Sequence, residues 1–277
     1  MFADERVYKE YISQTFNRAA STYDRVGPRF FTYFGNRLVE FAGVGSGSSV
    51  LDLGCGRGAI LFPAAGKVGI TGEVIGIDIA EKMLQQTMRE IKDLGIENAS
   101  ACNMDAEALQ FPDSRFDFVI CGFGLYEFYD LDVALSEAFR VLKSGGVFVA
   151  SLWGRNVDSR WDGFRSIVKS YRDQLKPVPE AKNIPPLRQP AEIETVMSKA
   201  GFTHVQTRVE EKEFYFTDVA EWWQFEWSHG NRFLWERMEP PILERCRNEL
   251  FTTIDQMKQE AGIPILFQIL LTRTEKP

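Results

Sequence analysis

The sequence has few of the residues from which proteins build metal sites. It has two histidines, His204 and His229, in 277 residues, and its four cysteines form no CxxC pair. These cysteines are Cys55, Cys102, Cys121 and Cys246. Because zinc sites need clustered cysteine and histidine ligands, the sequence predicts no metal site. Scattered free cysteines suit a reducing compartment.

The chain also lacks a long apolar run and an excess of basic residues. Its longest apolar run, IPILFQILL at 263–271, is far shorter than the ~20 residues that span a bilayer. The charged start, MFADERVYKE, lacks the apolar segment of a signal peptide. A net charge of −7 and a pI near 5.1 argue against a general nucleic-acid binder. We therefore expect a cytoplasmic protein with no integral membrane segment and no nucleic-acid partner.

What the sequence does contain is an alternation of strand and helix patterns before residue 153. The predicted strands are SVLDLG, EVIGIDI, ASACNMD, FDFVICGF and VFVASLW, with helical segments between most of them. Strands that alternate with helices at this spacing form a parallel sheet covered on both faces. The pattern predicts an α/β fold.

The two flanks of this alternation differ from it in composition. Residues 7–42 are rich in aromatics and predict two helices, separated at VGP. After residue 153 the chain is polar and then rich in proline, and a later segment is dense in tryptophan. We predict an N-terminal helical flap over residues 1–45 and a main domain over 46–277. Cap segments of that domain are predicted near 154–190 and 217–260.

A glycine-rich turn, VLDLGCGRGAI at 50–60, follows the first predicted strand. Dinucleotide folds use G-x-G-x-x-G, whereas here Gly54, Gly56 and Gly58 are evenly spaced. Ala59 could replace the last glycine, so the spacing alone leaves a dinucleotide open. No Gly-Lys-Ser/Thr follows, which excludes a P-loop.

Two aspartates narrow the choice of ligand. Asp52, inside the strand, would oppose a pyrophosphate and would suit a ligand with positive charge, such as S-adenosylmethionine; it is also compatible with a carboxylate that only holds the loop. Asp78, at the end of the second strand, is placed to accept hydrogen bonds from ribose hydroxyls or to cap the next helix.

The third strand is followed by a segment that suits an adenine ring. Asp105 could accept a hydrogen bond from the exocyclic amine while the Ala106 amide donates to a ring nitrogen. Ile79 and Met83 could enclose the ring. Each residue alone is equally compatible with core or turn positions, and their order along the chain favours the adenine interpretation.

Four separated motifs carry a family resemblance. VLDLGCGRG, VIGIDIAEKML, MDAEALQFPDSRFDFVICGFGLYEF and ALSEAFRVLKSGGVFV resemble class I S-adenosylmethionine-dependent methyltransferases. The similarity is strongest to the branch with ubiquinone/menaquinone-biosynthesis and small-molecule enzymes, and it spans about residues 15–153. It implies a Rossmann-like doubly wound sheet of about seven strands, mostly parallel with an antiparallel last strand, and S-adenosylmethionine as cofactor.

The resemblance also implies cofactor contacts, position by position. These residues are Tyr23, Asp52, Gly54, Cys55, Gly56, Asp78, Ile79, Met83, Asp105, Ala106, Cys121 and Gly122. Tyr23 would close over the methionine carboxylate, and the Cys121 carbonyl with Gly122 would face the ammonium. The pair Tyr126-Glu127 departs from many relatives, so roles in proton transfer do not carry over there.

The substrate side is predicted from chemistry and composition. A general base helps when the acceptor must lose a proton, and we name Tyr126 and His229 as catalytic candidates, with Glu127 and Tyr23 also considered. The aromatic segments predict a hydrophobic or aromatic small molecule. Its predicted contacts are Phe123, Tyr126, Trp223 and His229.

Several alternatives stay open at this point. One is a polar amine acceptor held by Glu127, Glu221 or Glu226. A cyclase, or another member of the fold that does not methylate, is a second, and an NAD-dependent oxidoreductase is a third. The tryptophan-rich segment would also suit an interface between copies of the chain, so the oligomeric state is open.

Overall fold

A computed structural model describes residues 4–155, 157–182 and 184–277. The seven strands are β1 (Ser49–Leu53), β2 (Glu73–Asp78), β3 (Ala99–Asn103), β4 (Phe116–Gly122), β5 (Leu142–Trp153), β6 (Thr203–Phe216) and β7 (Ile263–Glu275). Helices of the first half are α1 (Glu5–Ala19), α2 (Phe30–Ala42), α3 (Leu61–Val68), α4 (Glu81–Asp93) and α5 (Leu131–Val141). Those of the second half are α6 (Asp162–Arg172), α7 (Pro190–Lys199), α8 (Val219–Trp227), α9 (Arg232–Trp235) and α10 (Pro240–Asp255).

The strands form one sheet in the order β3-β2-β1-β4-β5-β7-β6. Neighbouring strands from β3 to β5 are parallel, and β7 runs antiparallel between β5 and β6. The chain order reverses between β1 and β4, and ligands of open α/β sheets bind at the carboxyl ends of strands at such a point. The predicted fold class, including the antiparallel last strand, is confirmed.

The sheet is covered on both faces, which explains its apolar central strands. Every residue of β1 is buried, as expected for a strand with helices above and below. Along it, Val50 packs on the side of α2 and α3, whereas Leu51 and Leu53 pack on the side of α5 and α7. This arrangement fixes the carboxyl end of β1, from which the glycine turn starts.

The predicted flap contains two helices with different surroundings. α1 packs against α4 and α9, and Asp4 caps its first turn. α2 lies against β4 and β5 and contributes fully buried Phe30, Phe34 and Leu38 to the core. Residues 1–3 of the predicted flap lie outside the described part of the chain. The division into a flap at 1–45 and a main domain stays a prediction.

The two predicted cap segments pack together. α10 contacts both α6 and α8, and α8 contacts α9. Trp222 and Trp235 are each about 1% exposed, so these two tryptophans fill the interior of the cap. The proline-rich stretch forms no helix in its described residues between 176 and 189, whereas α6 forms just before it. Asn156 and Asn183, which belong to the first predicted cap segment, lie outside the described residues.

One boundary differs from the sequence prediction. The Ser-Gly-Gly at 144–146 predicts a turn before the fifth strand, but β5 already begins at Leu142. The β4–β5 pairing passes from Phe116↔Leu142 to Phe118↔Val147, so the extra residues form a bulge. Gly145 has φ +74°, a conformation that glycine adopts readily. The glycines therefore bend a continuous strand.

Candidate active site

A cavity of about 910 Å³ opens at the carboxyl edge of the sheet, above the point between β1 and β4. Its wall includes most of the predicted cofactor residues on one side and aromatic side chains from α2, β5 and the cap on the other. The predicted site residues that line it are Tyr23, Gly54, Gly56, Asp78, Ile79, Met83, Asp105, Ala106, Gly122, Phe123, Tyr126 and His229. One cavity thus brings together residues spread over more than 200 positions.

The glycine turn exposes backbone to this cavity. Gly54, Gly56 and Gly58 all have positive φ, between +49° and +80°, which explains why glycine occupies each position. Gly54 and Gly56 line the cavity, whereas the Cys55 side chain is buried toward β2, where a Cβ on Gly76 would come within 2.8 Å of it. Burial raises the pKa of the Cys55 thiol well above its usual range. Cys55 therefore offers the cavity its backbone, not a reactive thiolate.

Asp78 is held in place by the backbone of the turn. Its carboxylate accepts hydrogen bonds from the Gly56 amide at 2.9 Å and the Ala80 amide at 2.7 Å. The side chain lines the cavity, and carboxylate oxygens accept more than one hydrogen bond each. Burial raises the pKa of Asp78, against those amide hydrogen bonds. The position matches the expected contact with ribose hydroxyls, and Asp78 also binds the amide at the start of α4.

Asp52 is buried in β1 behind the glycine turn and is not part of the cavity wall. It is about 1% exposed, and neither carboxylate oxygen has a hydrogen-bond partner within the described residues. Burial, aided by the negative charge of Asp78, raises the pKa of Asp52 to about 8. The Leu61 amide lowers that pKa in turn but lies outside hydrogen-bond geometry. A buried carboxylate without partners suits a cationic ligand nearby and opposes a pyrophosphate.

The predicted adenine side is completed by a residue that the sequence analysis missed. Ile79, Met83 and Ala106 line the cavity, together with Asp105. The Asp105 carboxylate accepts from the Glu107 amide at 2.8 Å and from Lys9 Nζ at 2.7 Å. The interaction with Lys9 ties α1 across this end of the cavity. No local pattern distinguishes Lys9 from the other charged residues of α1.

The segment between α1 and α2 closes the cavity near the glycine turn. Tyr23 is stacked on Phe31 with ring centroids 4.7 Å apart, and both line the cavity. Asp24 accepts hydrogen bonds from the Phe31 and Thr32 amides, which fixes the bend before α2. Arg57, from the turn itself, donates to the Ala20 carbonyl at 2.6 Å. Tyr23 therefore borders the cavity near the turn, and its predicted contact with the methionine carboxylate stays a prediction.

The end of β4 forms the floor of the cavity, between the predicted cofactor residues and the aromatic side chains on the opposite side. Gly122 and Phe123 line it, whereas Cys121 is fully buried beneath them, with its side chain close to Gly124. Burial raises the pKa of the Cys121 thiol above its usual range. Phe123 has φ +60° and contacts the rings of Phe31 and Trp153. Cys121 thus lies near the site through its backbone, and Phe123 faces the cavity.

The geometry of Tyr126 argues against its predicted role as a base. Its hydroxyl donates to the Leu187 carbonyl at 3.0 Å and lies 3.5 Å from the Trp153 carbonyl. Burial raises the pKa of Tyr126 to about 12. A phenol that donates to backbone carbonyls holds its proton and does not accept one. Tyr126 instead ties β5 to the chain before α7.

Glu127, the next residue, also lines the cavity. Burial raises the pKa of its carboxyl to about 7. Its charge acts on the hydroxyls of Tyr8, Tyr11 and Tyr23, whose pKa values it raises further. Glu127 therefore places a second buried carboxyl beside the segment that closes the cavity.

His229 lies in the cap half of the cavity, but its geometry changes its predicted role. Its Nδ1 accepts a hydrogen bond from the Asn231 amide at 3.2 Å, so the ring proton is on Nε2. Burial lowers the pKa of His229 to about 4, which keeps the ring neutral. The imidazole edge packs on Phe225, with centroids 4.5 Å apart. A neutral ring with its acceptor nitrogen occupied is a hydrogen-bond donor, not a general base.

Trp223 is not brought into the site. Its ring packs between Trp227, Trp235 and Phe251 inside the cap, and it is not part of the cavity wall. Because α8 turns a neighbouring face inward, Phe225 and Glu226 line the cavity in its place. The prediction of a substrate contact at Trp223 was wrong, because α8 is rotated so that a different side of the helix faces the cavity.

Comparison with known proteins shows to which family the chain belongs. The chain matches the family model described as a methyltransferase domain over residues 45–213. It is 32% identical over 266 residues to the nocamycin O-methyltransferase of Saccharothrix syringae, an alignment that covers 90% of this chain and 92% of that protein. The chain belongs to the methyltransferase-domain family.

Other relatives match this methyltransferase over a shorter length. The aklanonic acid methyltransferase DauC of Streptomyces sp. (strain C5) is 45% identical over 139 residues, which are 50% of this chain and 63% of that protein. The demethylmenaquinone methyltransferase of Staphylococcus aureus (strain JH9) is 37% identical over 151 residues, 53% of this chain and 62% of its own. Both alignments thus span a little less than two thirds of the relative. The solved structure of the YcgJ protein from Bacillus subtilis shares the fold, with a TM-score of 0.59 at 20% identity, over 88% of this chain and 98% of that one.

S-adenosylmethionine is the cofactor of this methyltransferase. The residues present fit its chemistry, because a nearby positive charge would stabilise the ionised form of the unpartnered Asp52 carboxyl and the turn offers bare backbone. Among the residues that the structure describes, no group of His, Cys, Asp and Glu is arranged to hold a metal ion. Within those same ranges, no helix is both long and apolar enough to cross a membrane.

Proposed function

We propose that this methyltransferase methylates a hydrophobic or aromatic small molecule held between the end of β4 and the cap. The observation that carries the proposal is the aromatic wall of the cavity, which is continuous with the cofactor residues. Its members are Phe31, Phe123, Trp153, Phe225, Phe233 and Phe267. A concave apolar wall with few polar groups is typical of sites for small organic ligands. The names of the relatives, which mention nocamycin, aklanonic acid and demethylmenaquinone, support an organic acceptor.

The residues of the turn and of the neighbouring strand ends would hold the cofactor. Asp78 would accept from the ribose hydroxyls, and Asp105 with the Ala106 amide would bind the adenine edge. Asp52 and Glu127 would provide negative potential for the ammonium and sulfonium groups. When bound, S-adenosylmethionine supplies an electrophilic methyl group. These assignments agree with the lining of the cavity and with the partners of Asp78.

The chain's own contribution to the reaction would be positioning and exclusion of water. Tyr23 and Phe31 are stacked at the cavity, and Phe123 lines it at the end of β4 in contact with Phe31. An enclosed apolar site aligns two reactants and strengthens the electrostatic interactions inside it. His229 would contribute a hydrogen-bond donor, and Tyr126 would maintain the shape of the wall.

The test is methyl transfer to a panel of phenols, indoles and amines. The purified protein is incubated with S-adenosylmethionine and each acceptor, and products are measured by mass spectrometry. We expect a gain of one methyl group on aromatic acceptors, which disappears in Asp78→Ala. In parallel, calorimetry compares S-adenosylmethionine with NAD. Binding of NAD alone, or methylation of small polar amines alone, would contradict the proposal.

We also propose that the protein works in the cytoplasm with a small-molecule substrate. All four cysteines are free, which suits a reducing compartment. Cell fractionation tests this: recovery in the cytosolic fraction supports the proposal, and recovery with the membrane or outside the cell contradicts it.

A further inference from the structure

The part of the cavity that borders the cap contains a buried polar cluster beside aromatic side chains. This acceptor cluster consists of Glu226, His229 and Asn231, and all three residues line the cavity. Glu226 is about 5% exposed and His229 about 9%. Asn231 joins the other two: its Nδ2 donates to Glu226 at 3.1 Å, and its backbone amide donates to His229 Nδ1 at 3.2 Å.

One member of the acceptor cluster points to a ligand directly. His229 Nε2 is buried and has no hydrogen-bond partner within the described residues, although the ring faces the cavity. Because Nδ1 already accepts from Asn231, Nε2 carries the proton and can only donate. Buried donors in native proteins normally have a partner. A ligand in the cavity that offers an acceptor atom would supply the missing partner.

The position of the acceptor cluster relates it to the site of methyl transfer. The His229 ring contacts Phe31, which in turn contacts Phe123 at the end of β4 and Tyr23 above the glycine turn. The acceptor cluster is therefore separated from Tyr23, a predicted cofactor residue, by a single aromatic side chain. An acceptor whose oxygen lies against Glu226 and His229 would have that oxygen on the side of the cavity that faces the proposed cofactor site.

We infer that the acceptor cluster binds a hydroxyl-bearing aromatic molecule, with His229 Nε2–H donating to an oxygen of the acceptor and the Glu226 carboxylate taking the proton of its hydroxyl. The inference rests on the proposed function and deepens it, because it specifies the class of acceptor and the base. An amine nitrogen has a single lone pair, and the attack on the methyl carbon uses it, so the nitrogen cannot also accept from His229 during the reaction. A phenol or enol supplies both an acceptor oxygen and a proton.

In the proposed step the hydroxyl proton moves to Glu226 Oε, and the electron pair of the O–H bond stays on the oxygen. That pair forms the new bond to the methyl carbon, while the pair of the carbon–sulfur bond stays on the sulfur, which becomes a neutral thioether. Asn231 holds the carboxyl in place throughout. Burial raises the pKa of Glu226 to about 7, a value suited to accepting a proton near neutral pH.

The experiment uses 2-naphthol as the probe and the full-length protein saturated with S-adenosylhomocysteine. Because this complex has no methyl group to transfer, calorimetry reports naphthol binding independently of activity. The ionised Glu226 carboxylate accepts a hydrogen bond from the naphthol hydroxyl, so we expect the naphthol affinity of the wild type to rise roughly tenfold between about pH 6 and 8. Glu226→Gln keeps the hydrogen bond from Asn231 and should lose that pH dependence, with naphthol affinity at about pH 6 within about threefold of wild type. His229→Phe should weaken naphthol binding by at least about tenfold.

Activity and folding are measured on the same variants. With S-adenosylmethionine, methylation of 2-naphthol should fall by about 100-fold or more in Glu226→Gln, the usual contribution of a general base. Glu244→Gln, an exposed position on α10, is the matched control and should behave as wild type. Calorimetry with S-adenosylhomocysteine checks that each variant is folded.

The outcomes separate this inference from the proposed function. If the wild type fails to bind S-adenosylhomocysteine, the methyltransferase function itself is contradicted. If the cofactor product binds but naphthol does not, or if Glu226→Gln retains the wild-type pH dependence of naphthol affinity, the inference is overturned and the function stands. Wild-type naphthol affinity in His229→Phe would likewise overturn it, as would methylation confined to amines.

Discussion

Asp52 lies in the middle of β1, where a carboxylate without hydrogen bonds has no structural benefit. Its two oxygens are buried and unpartnered within the described residues, and the pKa of the group rises to about 8. A buried charge of this kind destabilises the protein unless another charge compensates it. In the proposed site the cofactor would supply that compensation, since it carries an ammonium and a sulfonium group. The ionised Asp52 carboxylate therefore lowers the stability of the ligand-free protein, whereas the same charge would favour binding of the cofactor.

The first prediction follows from this opposition. Asp52→Asn removes the negative charge and should weaken binding of S-adenosylmethionine by about tenfold or more, which is about 1.4 kcal/mol. Calorimetry measures the affinity, and Asp93→Asn, exposed at the end of α4, is the control. Unchanged affinity in Asp52→Asn would show that the carboxylate only supports the loop.

For His229, the residue type and its aromatic surroundings predict a place in the cavity but not its chemical role. A histidine in an aromatic segment suggests a base, and its place in the cavity agrees with the prediction. Which nitrogen carries the proton depends on the Asn231 amide two residues later, a contact that the sequence does not reveal. The same holds for Tyr126, whose hydroxyl partners are far away in the chain.

At the scale of the element, α1 is the helix that covers the adenine side of the cavity. It is fastened there by Lys9, which lies 2.7 Å from Asp105 and 3.4 Å from Glu107. At its other end, Arg57 holds the Ala20 carbonyl. The helix therefore closes the site through a small number of polar contacts, and these contacts control its opening.

The second prediction concerns this closure. Lys9→Met should loosen α1, so that its amides exchange with solvent roughly tenfold faster and S-adenosylhomocysteine dissociates faster. The global melting temperature should change little, because the contact is partly exposed and peripheral to the core. Hydrogen exchange and stopped-flow fluorescence measure the two effects. Lys92→Met, exposed on α4, is the control, and equal exchange in both variants would contradict the prediction.

The elements themselves could be predicted to different degrees. The buried strands of the sheet and the Pro190 start of α7 follow from local pattern. The phase of α8 does not, because aromatic residues surround that helix and the pattern does not indicate which side faces the cavity. Trp223 was misplaced for that reason, while Phe225 and Glu226 face inward. Which side of α8 faces the cavity is therefore determined by packing against distant parts of the chain, which composition does not indicate.

For the molecule as a whole, the buried carboxyls make stability depend on pH. Burial raises the pKa of Asp52 to about 8 and those of Glu127 and Glu226 to about 7. A raised carboxyl pKa favours the folded state below the unfolded value near ~4, and this benefit is lost as the pH rises through the folded value. His229 acts with the opposite sign, and its effect is confined to the range between its lowered pKa of about 4 and ~6.5.

The third prediction is the resulting pH profile. Between about pH 6.5 and 8.5 the melting temperature of the ligand-free protein should fall by roughly 5 °C or more. Asp52→Asn should flatten much of that slope. Stabilisation by S-adenosylmethionine should be larger at the higher pH, where Asp52 is ionised. Scanning fluorimetry at fixed ionic strength measures this, and an equal slope in wild type and Asp52→Asn would refute the assignment.

The overall architecture and the cofactor side could be predicted because their signals are local and ordered along the chain. The glycine turn, Asp78 and Asp105 each follow a strand, so their convergence results from the parallel sheet. The substrate side is built from α2, β5 and the cap, whose relative placement depends on tertiary packing. Asn231 therefore became part of the site only through the structure, and Glu226, which the sequence offered only as an anchor for an amine, is joined by it to His229.

The central claim is that one cavity holds both reactants, with the cofactor at the glycine turn and a hydroxylated aromatic at the acceptor cluster. A crystal structure with S-adenosylhomocysteine and 2-naphthol bound tests it most directly. We predict the ribose on Asp78 and the naphthol oxygen within hydrogen-bond distance of His229 Nε2 and Glu226. Naphthol bound outside the cavity, or with its oxygen turned away from both residues, would contradict the account.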